Sequence, residues 1–288
     1  MIRGETFIDV EGARLHVVAE GSGRRLLVPT GAGIEFYRRT FSPDLLHEIE
    51  LIYVEMRGTG QSTGTIEGAT FASLADDLER VRARLGIDRA VVLGHSNHGC
   101  IALEHALRHP DHSAAALSIG SAPDFTRSFA VGQERWSREA TPAQLAALQR
   151  MQTDLDAMDL DAMGEDEAAV RRYVAMSPLG WRDPATDVMA LWGPAARGLA
   201  RYLTRMVVEY GGSSWNLVPQ LHRISAPVLA LCGRWDYICP ADLWEEAVTQ
   251  LPHGTLEVFE GSAHNPQYEE PSRFRDVVLD FLESGSRF

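Results

Sequence analysis

Short apolar runs alternate with stretches of helical periodicity along most of this chain. Residues 5–21 read as a hairpin, with Phe7, Val10, Leu15 and Val17 apolar and Glu11-Gly12 at the turn. Leu26-Leu27-Val28, Leu51–Val54, Ala90–Leu93, Ala114–Ile119, Val228–Leu231 and Leu256–Phe259 each read as a buried strand. Helical patterns lie between them. Ser42 and Pro43 open a short helix over 43–48, and Thr70 caps a longer one carrying Phe71, Leu74, Leu78, Val81 and Leu85 up to Gly86. Ile101, Leu103, Ala106 and Leu107 mark a helix stopped by Pro110. Further helices are predicted from about Ala241 to Leu251 and over Phe274, Val277, Val278, Phe281 and Leu282. Strands alternating with helices imply an α/β fold: a mostly parallel, doubly wound sheet covered on both faces.

That rhythm breaks between residues 124 and 215. The segment is helical in pattern and carries Met151, Met158, Met163, Met176, Met189 and Met206, with Trp136, Trp181 and Trp192. Every charged residue from Met151 to Val170 is acidic, as expected of a solvated helix face. The division predicted is a core of residues 1–123 and 216–288 with a helical cap, or lid, inserted at 124–215. Methionine and tryptophan suit an adaptable apolar wall over a pocket.

Composition narrows the function classes. The chain has 288 residues, 45% of them hydrophobic, enough for a substantial core. No apolar stretch approaches the length of a membrane span, and the start, MIRGETFIDVEG, has no apolar signal-peptide core. A net charge of −13 argues against sequence-independent nucleic-acid binding. Cys100, Cys232 and Cys239 form neither an even disulfide framework nor a metal spacing, which points to a reducing, cytoplasmic setting. There is no lysine, so Schiff-base chemistry, a Ser–Lys dyad and a P-loop lysine are all excluded. The all-arginine basic set hints at a GC-rich bacterial genome.

The candidate chemistry centres on residues 88–109. Strand Ala90–Leu93 ends in Gly94-His95-Ser96-Asn97-His98-Gly99, and a helix opens at once. Strand, tight turn with a central serine, helix is the context of a nucleophile elbow. The literal G-x-S-x-G match is elsewhere, at Gly60-Gln61-Ser62-Thr63-Gly64, but no helix start follows it. Ser96 is therefore the expected nucleophile and Ser62 a loop residue. A serine needs a base, and an imidazole needs a carboxylate to set its tautomer. Strand ends in chain order offer Ser96, Asp236 and His264, with Asp124 as the rival to Asp236. The oxyanion would be held by the backbone N–H of Asn97 and by one from the Pro29-Thr30-Gly31-Ala32-Gly33 loop, that of Gly31. His105 and His109 share a helix face, but no third metal ligand accompanies them; no metal and no cofactor is expected. His98 stands where a small residue is usual. An opened turn, a smaller neighbouring side chain or an imidazole hydrogen-bonded beneath the nucleophile would each accommodate it.

These motifs resemble the α/β-hydrolase superfamily over nearly the whole chain. Gly94-His95-Ser96 with Gly99 and His109-Pro110 is similar to its GHS-x-GG … HP stretch. Arg57-Gly58-Thr59-Gly60-Gln61-Ser62 resembles its RGxGxS loop, and Gly261-Ser262-Ala263-His264 with Glu270-Pro271 its terminal histidine segment. Gly233-Arg234-Trp235-Asp236-Tyr237-Ile238-Cys239-Pro240 is similar to the GR-aromatic-D…CP segment of the proline iminopeptidase group. Two stretches depart from that group: its HGGPG motif stands here as Pro29–Gly33, and its GGSWGG elbow as Gly94–Gly99. The resemblance implies an α/β-hydrolase fold and an acyl-enzyme mechanism. It also implies an acid that holds a substrate amine, for which Glu209 is the nearest match. Trp235, Tyr237, Trp181 and Trp192 are the other expected substrate contacts.

The expected function is a serine hydrolase acting on a small-molecule or short-peptide amide, an N-terminal proline or small residue. The alternative is an esterase or lactonase for a small apolar ester. A receptor that keeps the fold without catalysis is a third possibility of a different class. No nucleic-acid or membrane partner is expected, and the sequence leaves the oligomeric state open.

Overall fold

Strands β1 (Gly4–Val10) and β2 (Ala13–Gly21) form the amino-terminal hairpin, with Glu11-Gly12 at its turn. The computed structural model describes residues 4–31 and 33–284. Met1–Arg3 of the amino-terminal stretch and Ala32 of the Pro29–Gly33 loop lie outside the described residues. After β3 (Arg24–Thr30) come α1 (Ile34–Thr40), α2 (Pro43–Leu46) and β4 (Ile49–Glu55). Helix α3 (Phe71–Arg84) leads to β5 (Ala90–His95), α4 (Asn97–Arg108) and β6 (Ser113–Ile119). A helical stretch follows: α5 (Phe125–Glu139), α6 (Pro142–Asp156), α7 (Glu165–Ala175), α8 (Val188–Trp192), α9 (Leu199–Leu203) and α10 (Gly212–Ser214). Then follow β7 (Val228–Gly233), α11 (Asp242–Ala247), β8 (Gly254–Phe259), α12 (Pro266–Glu269) and α13 (Pro271–Ser284).

The strands make one eight-stranded sheet in the order β1-β2-β4-β3-β5-β6-β7-β8. Pairs β1–β2 and β2–β4 are antiparallel; every other neighbouring pair is parallel. Its central strands are apolar on both faces, and alternate residues enter two different cores. Leu27, Ile52, Val54, Val92, Ala116, Val228 and Ala230 join one core with Leu74, Leu78 and Val81 of α3 and Ile101 and Leu103 of α4. Leu26, Val28, Leu51, Tyr53, Leu93, Leu117, Leu229 and Leu231 join the other with Phe36 and Tyr37 of α1 and Phe274, Val278 and Leu282 of α13. Continuous apolar runs are thus two interleaved period-2 patterns, each covered by its own helix layer.

The predicted caps form. Ser42 Oγ accepts the Leu45 N–H, and Thr70 with Ser73 makes a reciprocal capping box on α3. The helix predicted over about 241–251 is shorter as α11 and ends in a 3₁₀ turn at Val248–Gln250. Helix α1 has no counterpart among the predicted elements. It follows the glycine-bearing loop directly, buries Ile34, Phe36, Tyr37 and Thr40, and turns Arg38 and Arg39 outward.

The helical stretch between β6 and β7 leaves and rejoins the sheet at one place. Asp124 and Asn216 form an antiparallel bridge, with Phe125 N–H donating to the Trp215 carbonyl (3.1 Å) and Leu217 N–H to that of Pro123 (2.8 Å). Asn216 Nδ2 also donates to Asp124 Oδ2 at 3.1 Å. Within the stretch, α9 continues into π-helical backbone at Thr204–Gly211, a geometry frequent at functional sites.

His105 and His109 lie between α3 and α4 and face carboxylates. His105 Nε2 sits 3.2 Å from Glu79 Oε2, and His109 Nε2 lies 2.9 Å from Asp76 Oδ1. Glu79 is also paired with Arg82 and His112. Among the described residues, no group of three or more His, Cys, Asp or Glu side chains is placed to hold a metal ion. Burial pushes the fully enclosed His105 imidazole down from 6.5 to about 4, with the neighbouring His109 adding to the shift. The unfolded chain therefore binds this proton first, and stability is lost as pH falls from 6.5 through 4. The shift corresponds to roughly 3 kcal/mol. Thermal melts stepped across that window should show a shallower acid limb for His105→Gln than for the wild type.

Candidate active site

Ser96 sits at φ 56°, ψ −133°, the only non-glycine residue at positive φ among the described residues. Strain of this kind costs about 1–3 kcal/mol and is held by the surroundings. Here Ser96 N–H donates to the Ile119 carbonyl of β6 (2.8 Å), and Gly99 N–H donates back to the Ser96 carbonyl (2.9 Å). A Cβ on Gly94 would lie 2.1 Å from the His98 carbonyl oxygen, and one on Gly99 would meet Ser118 and Ser121 at 2.6 Å. The close approaches of this turn fall at positions 94 and 99, which is why position 98 tolerates a histidine. Ser96 keeps partial exposure while His95, Asn97 and His98 are buried. The Asn97 N–H opens α4 and is among the helix N–H groups that have no intrahelical acceptor.

Asp236 and His264 come from the loops after β7 and β8 and are both fully buried. Asp236 Oδ1 accepts the Ile238 and Cys239 N–H groups at 2.8 and 2.9 Å. Its Oδ2 lies 2.8 Å from His264 Nδ1. A carboxylate only accepts, so Nδ1 carries the proton and Nε2 presents a lone pair. Nε2 is buried and has no hydrogen-bond partner, Ser96 included. The His264 ring lies beside the elbow: its centroid is 5.0 Å from that of His95, and a Cβ on Gly120 would approach Nδ1 to 3.1 Å. His95 Nε2–H donates to the His264 carbonyl at 3.0 Å. The helical stretch holds this loop from above, since His264 N–H donates to the Gly180 carbonyl (3.0 Å). Glu269 joins the two, accepting from the Arg182 N–H (2.6 Å) and the Ala263 N–H (2.8 Å), and burial raises its carboxyl to about 7. Such an imidazole can take a proton from a hydroxyl and return it to a leaving group.

The rival residues are committed elsewhere. Asp124 caps α5, accepting from Thr126 N–H and Oγ, and bonds Asn216. Ser62 is fully buried; its Oγ donates to the Glu55 carbonyl (2.7 Å) and accepts from His16 N–H (2.9 Å).

A cavity of about 40 Å³ opens over the elbow, lined by Gly31, Ser96, Asn97 and His98 on the sheet side. Phe36, Tyr37, Tyr173, Trp192, Leu199 and Tyr202 close it from α1 and the helical stretch. Gly31 must be glycine, because a Cβ there would lie 2.5 Å from the Tyr202 ring. Of the expected substrate contacts only Trp192 reaches this wall, packed on Phe36 and Tyr173. Trp181 is buried against Tyr268, next to Gly180. Trp235 donates to the Glu260 carbonyl and lies under Arg182, and Tyr237 packs between Trp136 and Arg135. Glu209 is half exposed on the outer surface, paired with Arg205 at 3.4 Å. It is thus separate from the cavity and cannot hold an amine there.

Sequence reasoning missed Phe36, Tyr37, Tyr173, Leu199 and Tyr202. The i, i+3 spacing of Ile34 and Tyr37 just after the Pro29–Gly33 loop was the available signal; Tyr173, Leu199 and Tyr202 lie where the pattern gives no orientation. Among the described residues, no Asp or Glu lines the cavity. Burial drives the Tyr37, Tyr173 and Tyr202 hydroxyls well above their ordinary value and His98 down to about 4. The wall is neutral at neutral pH.

Comparisons with known proteins agree with this architecture. A family model described as the alpha/beta hydrolase fold matches residues 26–271. "AB hydrolase superfamily protein YclE" of Bacillus subtilis (strain 168) is 27% identical over 283 residues, covering 95% of this chain and 96% of that protein. "Pimeloyl-[acyl-carrier protein] methyl ester esterase" of Edwardsiella ictaluri (strain 93-146) is 27% identical over 273 residues, covering 92% of this chain and 96% of its own. The crystal structure of proline iminopeptidase from Mycobacterium smegmatis superposes with a TM-score of 0.74 at 21% identity, covering 98% of both chains. With its eight-stranded sheet, strained elbow and matched length, the chain belongs to the α/β hydrolase fold family.

Proposed function

We propose that this protein is a serine hydrolase acting on a small, neutral carboxylic ester or lactone. The observation that carries the reading is His264: its Nδ1–H is fixed by Asp236, and its Nε2 is buried, unpartnered and beside the elbow. Ser96 Oγ attacks the carbonyl carbon while its proton passes to Nε2. The Gly31 and Asn97 N–H groups hold the oxyanion, and losing one such donor typically costs about 2.7–4 kcal/mol. Collapse expels the alcohol, which takes the proton from Nε2, and leaves an acyl-Ser96. Water, deprotonated by His264, then attacks the acyl carbon; collapse returns Ser96 Oγ–H and releases the acid. Residues 1–123 and 216–288 act as the catalytic core, and 124–215 as a cap supplying Tyr173, Trp192 and Tyr202.

The substrate class follows from the wall. An iminopeptidase needs a carboxylate for the substrate's ammonium group, since an unpaired buried cation is costly. The cavity has none among the described residues, and Glu209 is on the outer surface. A cavity of about 40 Å³ also admits little more than a water or two, so the cap at α8 and α9 opens for the acyl group to enter. Three free, buried cysteines support a reducing compartment, the cytoplasm.

The test is a substrate panel. Short p-nitrophenyl esters should turn over at least about 100-fold faster, in kcat/KM, than proline naphthylamide, a difference of roughly 2.7 kcal/mol. A fluorophosphonate probe should label Ser96. Faster cleavage of the naphthylamide would overturn the ester class. No labelling together with no turnover would favour the receptor reading.

A further inference from the structure

His98 stands where the family it resembles has glycine, and no step of the proposed reaction uses it. The residue is 3% exposed and lines the Ser96 cavity. Nδ1 lies 3.0 Å from the His95 carbonyl oxygen. A carbonyl only accepts, so Nδ1 carries the proton and donates to it. The Tyr37 hydroxyl, 3.3 Å from the same Nδ1, stands on the second branch of that donor. Nε2 is then a lone-pair acceptor, and it is buried without a protein partner. The ring plane is fixed from one side by Tyr202, stacked at a centroid distance of 5.4 Å and 17°. Tyr202 is itself held by its hydroxyl donating to Asn97 Oδ1 at 2.9 Å. His98, a residue of the cavity wall, therefore carries a fixed hydrogen-bond acceptor that no neighbouring side chain satisfies.

We propose that His98 Nε2 reads the substrate, accepting a hydrogen bond from a neutral O–H or N–H group carried close to the scissile carbonyl. This rests on the ester-hydrolase reading above. The donor is a hydroxyl or an amide N–H rather than an ammonium group. Burial keeps the imidazole uncharged at neutral pH, and among the described residues no carboxylate lines the cavity to balance a cation. A site built to pair with a donor discriminates against an analogue lacking it more strongly than an apolar pocket rejects an added group. The substrate class so defined is a hydroxyacyl or N-acylaminoacyl ester.

The experiment compares matched pairs: methyl 3-hydroxybutanoate with methyl 3-methoxybutanoate, and N-acetylglycine methyl ester with N-acetylsarcosine methyl ester. The wild type should prefer the donor-bearing member of at least one pair by about 10-fold or more in kcat/KM. That ratio should fall to within about twofold in His98→Leu, and His98→Asn, which keeps an acceptor, should restore part of it. Calorimetric binding of the same pairs to Ser96→Ala gives the ratio without turnover, so the test stands even if the hydrolase reading fails. Ratios near one for every pair in both measurements, or no binding of any member, would overturn the role of His98. So would a wild-type ratio persisting in His98→Leu. Fluorophosphonate labelling of Ser96 in the same samples shows whether the hydrolase reading survives such a result.

Discussion

Ser96→Ala should abolish ester turnover and fluorophosphonate labelling, with kcat reduced by about 10⁴-fold or more. The size follows from what remains. In the proposed mechanism the Gly31 and Asn97 N–H groups would still bind the carbonyl, but no atom would be left to form the acyl intermediate, and His264 could only direct water from a place shaped for a hydroxyl. Ser62→Ala is the informative control, because Ser62 is the serine that a plain G-x-S-x-G search selects. Its hydroxyl is fully engaged with the Glu55 carbonyl and the His16 N–H, so its loss should lower Tm by a few degrees and leave labelling intact. Backbone strain supplies a second check. Alanine at φ 56° keeps the strain of the elbow, whereas glycine relieves it. Ser96→Gly should therefore melt higher than Ser96→Ala while being equally inactive. Substantial turnover by either variant would remove Ser96 from the reaction.

Much of the sheet was legible because both core layers write their own periodicity into it. Leu51, Ile52, Tyr53 and Val54 look like one apolar run, and a strand covered by helices on both faces requires that. The elbow was legible from context: an apolar strand, a tight turn with a central serine and an immediate helix come together at Ser96. Three things were not. Helix α1 is short and follows a glycine loop, so its single buried face gave a weak period. Strand order is set by pairings between distant segments, and nothing in β3 alone states that it lies between β4 and β5. The cavity wall depends on how the 124–215 helices sit on the core, and their propensity carries no orientation. Glu209 shows the consequence. Resemblance placed a carboxylate near the end of the 124–215 stretch, but its helix turns that residue outward to Arg205. Tyr202, in α9 just before the π-helical segment, faces inward onto Gly31 and His98 instead. His98 was legible as an oddity only; its tautomer needed the position of the His95 carbonyl.

Asp236→Asn is expected to cost about as much as losing the serine, roughly 10⁴-fold in kcat, with little change in fold. The argument turns on which oxygen is already committed. Oδ1 receives two backbone N–H groups, from Ile238 and Cys239, on a loop that cannot reverse its donors. An asparagine must therefore keep its carbonyl oxygen there and point its NH₂ at His264 Nδ1. Two donors cannot face each other, so the imidazole moves its proton to Nε2 and presents Nδ1 as the acceptor. Nε2–H can no longer take the Ser96 proton, and the base is lost although every heavy atom stays in place. Near-wild-type melting of Asp236→Asn, with collapsed turnover, separates this from unfolding. The companion variant Asp124→Asn tests the other acid. Asp124 caps α5 and bridges to Asn216, so its change should lower stability and leave kcat within a few-fold of wild type. If Asp124→Asn removed turnover while Asp236→Asn kept it, the orienting role would belong to Asp124. That outcome would require His264 to leave the 2.8 Å contact with Asp236 during the reaction.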